Sequence, residues 1–197
     1  MSTKWRSPVQ LCLGLILFGV SIALMINAHA GVDPWDVFHL GLAERTGLPI
    51  GWVVNLTAAL VLVMWIPLRQ RPGLGTVSNV IVVGVSLDTA LVVLPVPHRL
   101  AARAGFLLVG IIANGVATGL YVGAGLGSGP RDGLMMGLAA RGHSIRVVRT
   151  SIELTVLVVG WLLGGAVGVG TVVYAVSIGP LAGFFIGKLR VRSCDLV

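Results

Sequence analysis

Apolar positions fall in six long blocks, about 9–30, 50–68, 75–95, 104–124, 147–166 and 169–188, separated by short polar segments rich in glycine and proline. A helix needs about 20 apolar residues to cross a bilayer, and each block supplies close to that. Strict alternation of apolar and polar positions is absent, which argues against a barrel. In lipid the backbone must satisfy its own hydrogen bonds, so the blocks are predicted to be helices. Two shorter segments, 34–46 and 130–142, each begin on a proline and hold 13 residues. That is too short for a crossing, and both are expected to be interfacial or re-entrant helices. Counting them as crossings would give eight spans and would place Arg69 and Arg71 outside.

Composition agrees. The 197-residue chain is 56% hydrophobic and 11% charged, with a mean hydropathy of +0.97. A soluble domain carries roughly a quarter charged residues. The expected fold is all-α: one transmembrane domain over 1–197.

The chain also contains itself twice. Residues 31–47 read GVDPWDVFHLGLAERTG and residues 127–143 read GSGPRDGLMMGLAARGH. At an offset of 96 they share Gly31/Gly127, Pro34/Pro130, Asp36/Asp132, Gly41/Gly137, Leu42/Leu138, Ala43/Ala139 and Arg45/Arg141. Gly14 and Gly19 fall on Gly110 and Gly115 at the same offset. One residue is then lost, after which Gly73-Leu74-Gly75-Thr76 matches Gly168-Val169-Gly170-Thr171 and Gly84 matches Gly179. A unit this long is a duplicated domain, with repeat one at about 8–100 and repeat two at about 101–195. Three spans per copy force the second copy to enter from the opposite face. The expected architecture is two inverted three-helix repeats, each with one short helix.

Eleven of the fourteen basic residues fall on one side of that topology: Lys4, Arg6, Arg69, Arg71, Arg131, Arg141, Arg146, Arg149, Lys188, Arg190 and Arg192. Arg45, Arg99 and Arg103 fall on the other. The positive-inside rule then places both termini in the cytoplasm of a bacterial inner membrane. The net charge of +7 is this asymmetry and calls for no nucleic acid. Lys4 and Arg6 before an apolar run, with Ala28-His29-Ala30 after it, resemble a cleavable leader. The run is longer than a leader's, and its repeat partner near 104–124 cannot be cleaved, so it is read as a true span.

Asp33-Pro34-Trp35-Asp36 is a strong helix start, with Asp33 as cap, proline at the first position and Asp36 near the positive dipole end. Gly129-Pro130-Arg131-Asp132 repeats it. Either these are two symmetric helix caps, or two short helices point their N-termini at a central site. Asp88 lies deep in the third span, where a charge costs about 2.5–3.5 kcal/mol on insertion scales; its repeat counterpart is Gly183. Asp88 is a candidate to bind a cation or carry a proton, unless it is hydrated or paired with Arg99 or Arg103. Arg149 and Glu153, spaced i, i+4, share a face of the fifth span as an ion pair or as part of a solute path. Asn55, Asn79 and Asn114 either make interhelical hydrogen bonds or line a cavity. Glycines recurring every four residues, at 115–127 and 179–187, together with the pair Gly160 and Gly164, are expected to pack spans four, five and six tightly.

Nothing points to an enzyme. There is no nucleophile triad, phosphate loop, dinucleotide fingerprint or zinc motif, and no cofactor is expected. His29, His39, His98 and His143 share no ligand spacing. Cys12 and Cys194 carry no recognisable chemistry.

The blocks PWDVFHLGLAERTGLPIG, WIPLRQRPGLGT, GLYVGAGLGSGPRDGLMMGLAARG and SIRVVRTSIELTVLVVGWLLGGAVGVGT resemble the YczE/YyaS/YitT-type bacterial integral membrane proteins, in particular the YczE-like branch. The resemblance covers residues from about 8 to 188. It implies an inner-membrane location and a polytopic helical fold, and brings no catalytic or binding residues with it.

Two functions fit. One is a small secondary transporter of an unknown small solute, with its site between the halves near Asp36, Asp88, Arg131, Asp132, Arg149 and Glu153. The other is a non-transporting membrane partner that anchors or regulates another assembly. The lipid bilayer is the expected surrounding, and a homodimer is compatible with either.

Overall fold

The computed structural model describes residues 3–190. Arg192 and Cys194 lie outside the described residues, as do the side chains of Lys4 and Arg6. Eight helices make up the described chain: α1 (Thr3–Asn27), α2 (Pro34–Thr46), α3 (Ile50–Leu68), α4 (Leu74–Val93), α5 (Leu100–Gly123), α6 (Pro130–Ala139), α7 (Ile145–Leu162) and α8 (Val169–Leu189). There is no strand among the described residues. Five helices, α1, α3, α4, α5 and α8, are long and apolar enough to cross a membrane. The sixth expected span, α7, has 18 residues, about 27 Å at 1.5 Å per residue, but Arg146, Arg149 and Glu153 lie in its first half.

The eight helices form two layers. In one, the long helices stand in the order α4, α1, α5, α8, each packed on its neighbour. In the other, α2, α3, α6 and α7 close a ring in which α2 packs on α3 and α7, and α6 packs on α3 and α7. The larger buried cluster is centred on Leu15, Ile22, Met25 and Leu87 of the first layer; a smaller one, Trp35, Val61, Trp65 and Leu134, fills the ring.

Glycines set how near the helices come. A Cβ on Gly14 of α1 would lie 2.7 Å from the Tyr121 backbone nitrogen of α5, and one on Gly19 would lie 2.6 Å from the Val83 carbonyl oxygen of α4. Gly115, Gly119 and Gly123 of α5 receive Leu181, Phe185 and Leu189 of α8 in the same way. Dispersion between backbones at this range replaces the hydrophobic drive that lipid cannot supply.

The turns before α2 and α6 are built alike. Gly31 (φ 99°) and Gly127 (φ 131°) hold left-handed backbone that favours glycine. Each turn is tied to the start of a long helix: Gly75 N–H of α4 donates to Leu126 O at 2.8 Å, and Gly170 N–H of α8 donates to Ala30 O at 2.7 Å. Just before those helices, Gly73 N–H donates to Thr76 Oγ1 and Gly168 N–H to Thr171 Oγ1.

The tight packing expected along the glycines of spans four to six holds only in part. Gly160 packs against the Phe38 backbone of α2, not against α8, while Gly179, Gly183 and Gly187 of α8 face open space. The cause is that α7 is drawn to α2 and stands off from α8.

Candidate functional site

The two short helices begin facing each other. Asp33 Oδ1 accepts the Asp36 N–H at 2.8 Å and caps α2, with Pro34 at the first helical position. Helix α6 starts from Gly129 with no side-chain cap, which leaves its first N–H groups free of a helical acceptor. From this start Arg131 reaches across to α2. Its Nη1 lies 3.8 Å from Asp33 Oδ2 and its Nη2 lies 3.7 Å from Asp36 Oδ1. The guanidinium also lies over the Trp35 ring, 4.9 Å from the centroid, a cation–π geometry.

Behind this contact is a buried pair. His39 Nδ1 is 3.1 Å from the same Asp36 Oδ1; Asp36 is 0% exposed and His39 1% exposed. Asp36 Oδ2, His39 Nε2 and Trp35 Nε1 are buried and have no hydrogen-bond partner among the described residues. Groups of this kind are rare in folded proteins, and each calls for an explanation.

A cavity of about 440 Å³ lies against these helix starts, between the two layers. Asp33, Arg131, Asp132, Arg149 and Glu153 line it, together with Trp35 and His39. Tyr121 and Tyr174 enter from the long-helix layer. Tyr121 Oη–H donates to Asp132 Oδ2 at 2.9 Å. Tyr174 Oη–H donates to Asn114 Oδ1 at 3.0 Å, and Asn114 Nδ2 donates to Ser21 Oγ at 2.9 Å. Arg149 Nε donates to Glu153 Oε1 at 2.8 Å. Counting Asp36 behind the wall, four carboxylates stand against two guanidiniums. Among the described residues no group of three or more His, Cys, Asp or Glu has the arrangement to hold a metal ion.

The sequence-derived candidates thus divide. Arg131, Asp132, Arg149, Glu153, Asn79 and Asn114 line the cavity, and Asp36 lies just behind Arg131. Asp88 and Asn55 are elsewhere. Asp88 Oδ1 accepts the Gly51 N–H at 2.7 Å, and Asn55 Oδ1 accepts the Gly84 N–H at 3.1 Å. Together they fasten α4 to the first half of α3, where a Cβ on Gly51 would overlap the Gly84 carbonyl. Arg103 does not meet Asp88; it donates to the carbonyls of Ala28 and His29. From the sequence Asp33 reads only as a cap, His39 lacks a metal spacing, Tyr121 reads as one of several polar span residues able to make interhelical hydrogen bonds, and neither Trp35 nor Tyr174 reads as a site residue. The available signals are the place of Trp35 directly after the proline helix start and that of His39 one turn after Asp36.

The match to known proteins covers nearly this whole chain. The chain belongs to the family of unknown function DUF6198. It matches that family over residues 5–187. It is 43% identical over 186 residues to an uncharacterised protein of Haemophilus influenzae, covering 94% of this chain and 85% of that one. It is 36% identical over 177 residues to the uncharacterised membrane protein YczE of Bacillus subtilis, covering 87% and 81%. With the uncharacterised protein YyaS of the same organism it shares 27% over 166 residues, covering 81% and 82%. No solved structure matches. Membership of a family that includes a membrane protein, together with five apolar helices of crossing length, identifies an integral membrane protein of the YczE-like kind.

Proposed function

We propose that this protein is a small secondary transporter of the bacterial inner membrane, without enzymatic activity, that carries a small polar solute through the cavity between its two layers. In this reading α1, α3 and α4 span the membrane in one copy of the repeat, and α5, α7 and α8 span it in the other, inverted copy. Both termini are cytoplasmic. Helices α2 and α6 are re-entrant and meet near the midplane, where solute sites are found in transporters built of inverted repeats. Arg149 and Glu153 of α7 are accommodated because they face the cavity and each other rather than lipid.

One observation carries the proposal: repeat-equivalent helix pairs are in opposite states. Helices α3 and α4 are fastened through Gly51, Asn55, Gly84 and Asp88. The corresponding pair, α7 and α8, stands apart, and Gly179 and Gly183, the counterparts of Gly84 and Asp88, border the cavity with nothing against them. In the inverted topology the fastened pair is on the outer side and the open pair on the cytoplasmic side. This is an inward-open arrangement. Closing α7 on α8 while α3 parts from α4 would expose the same cavity to the outside.

The test is solute uptake by proteoliposomes. Vesicles holding the purified protein are incubated with a mixture of bacterial metabolites, and their contents are compared by mass spectrometry with those of empty vesicles. Accumulation of a solute that Arg131→Ala abolishes supports the reading. A folded, correctly inserted protein that enriches nothing from the mixture counts against it.

A further inference from the structure

We infer that Asp36 and His39 form a proton-binding site whose occupancy is opposed by Arg131. The inference rests on the transporter reading for its purpose, since a proton bound here would be the coupling ion, but its chemistry stands on the pair itself.

The pair's hydrogen bond fixes a tautomer. A carboxylate oxygen only accepts, so His39 Nδ1 must carry the proton that faces Asp36 Oδ1. In the neutral ring Nε2 is then a bare lone pair. That nitrogen is buried without a partner, and so is Asp36 Oδ2. Each of these atoms is a free lone pair that can take up a proton, and the two belong to one hydrogen-bonded pair. His39 and Trp35 both border the cavity, with Nε2 itself closed off from it in this state, so a proton reaches the pair when this part of the wall opens. The step is a simple transfer: a hydronium ion in the cavity gives its proton to His39 Nε2 and leaves as water, and the imidazolium keeps its Nδ1–H bond to the Asp36 carboxylate.

Arg131 opposes the step because it uses the same oxygen. Its Nη2 lies 3.7 Å from Asp36 Oδ1, where His39 Nδ1 is also bonded. With the guanidinium in place Asp36 is already paired, and an imidazolium would be a second cation beside the first. If a solute draws Arg131 toward the cavity, Asp36 is left uncompensated and the pair takes up a proton. Solute and proton would then load together.

The other charged and titratable groups around the pair are few. From α2 itself, Asp33 caps the helix start and favours the imidazolium. Helix α3 contributes no ionisable side chain. Arg149 and Glu153 of α7 pair with each other, Tyr174 of α8 is hydrogen-bonded to Asn114, and Asp132 of α6 is held by Tyr121. Among the described residues Arg131 is the cation in direct reach of Asp36.

The experiment is magnetic resonance of the full-length protein in lipid with isotope-labelled histidine, read from about pH 4 to 9. The His39 signal is identified by its loss in His39→Gln. In the wild type at neutral pH His39 is expected as the Nδ1–H tautomer. In Arg131→Gln its titration midpoint should rise by about one pH unit or more, a tenfold change in proton affinity. In Asp36→Asn, which keeps the shape of the pair, the midpoint should fall by a similar amount or leave the range, so this variant reads the coupling where Arg131→Gln does not fold. An Nε2–H tautomer in the wild type, or a midpoint that moves in neither variant, overturns the inference. A protein that moves no solute but shows both shifts refutes the transporter reading and leaves the proton site standing.

Discussion

Arg131 and Trp35 occupy the same position in the two copies of the duplicated helix start, and the guanidinium of one lies over the ring of the other. The repeat therefore meets itself here, with a cation in one copy and an aromatic face in the other. Removing the charge should be costly. Arg131→Gln leaves Asp33 and Asp36 buried without a counter-ion, and the loss for a broken buried pair is about 3–5 kcal/mol, with the lower end apt because Arg131 is 24% exposed. Arg131→Lys keeps the charge and loses the planar stacking, and should cost about 1 kcal/mol. Chemical denaturation in detergent separates the two.

The glycine pair Gly84 and Gly179 gives a sharper contrast. Both hold the same place in their copies, yet Gly84 is pressed between Asn55 and Gly51 while Gly179 has nothing within 4 Å. Gly84→Leu should therefore prevent folding or lower stability by about 3 kcal/mol or more, as overpacking of a close helix contact does. Gly179→Leu should fold with wild-type thermal stability and lose uptake, because its side chain blocks closure of α7 on α8. Melting curves and uptake measured on the same preparations check both outcomes.

Asp88 should behave as a fastener and not as a solute ligand. Asp88→Asn retains an oxygen for the Gly51 N–H, so its stability should stay within about 0.5 kcal/mol of wild type. Asp88→Ala leaves that N–H without its acceptor and should cost about 1–3 kcal/mol. If uptake is solute-specific, neither change should alter which solute is carried, a point settled by repeating the metabolite mixture with each variant.

The buried chain Tyr174–Asn114–Ser21 ties α8, α5 and α1 together within the long-helix layer. Asn114→Ala removes an acceptor and a donor at once, at an expected cost of about 1–3 kcal/mol. Tyr121→Phe removes a single bond, to Asp132, and should cost about 1 kcal/mol. Thermal unfolding in the same detergent ranks them.

Much of this arrangement was legible in the residues, and the remainder shows where a sequence stops. The proline starts at Pro34 and Pro130 and the long apolar blocks give the helices directly, because capping and bilayer-length apolarity are local properties. Arg131 and Asp132 stand out in the sequence because the proline helix start is repeated, and Arg149 and Glu153 because charges in an apolar block need partners. The placement of Asp88 was not. A carboxylate in an apolar helix signals a partner but not which face it lies on, and here the partner is a backbone N–H of the neighbouring helix. His39 has no metal-ligand spacing in the sequence, and what distinguishes it in the structure is its contact with Asp36 one turn before it. The different states of Gly84 and Gly179 follow the divergence of their partners: at the repeat offset of 95, Gly51, Asn55 and Asp88, which fasten α3 to α4, are replaced by Arg146, Thr150 and Gly183.

The most direct measurement uses spin labels at equivalent positions of the two helix pairs, Trp52 with Thr89 on α3 and α4, and Val147 with Phe184 on α7 and α8, all exposed sites. Distances are recorded by pulsed electron resonance in lipid nanodiscs. The account expects two populations for each pair, changing in opposite senses, with Gly179→Leu holding α7 and α8 apart and α3 and α4 together. A single unvarying distance for both pairs, in the wild type and in that variant alike, would contradict alternating access.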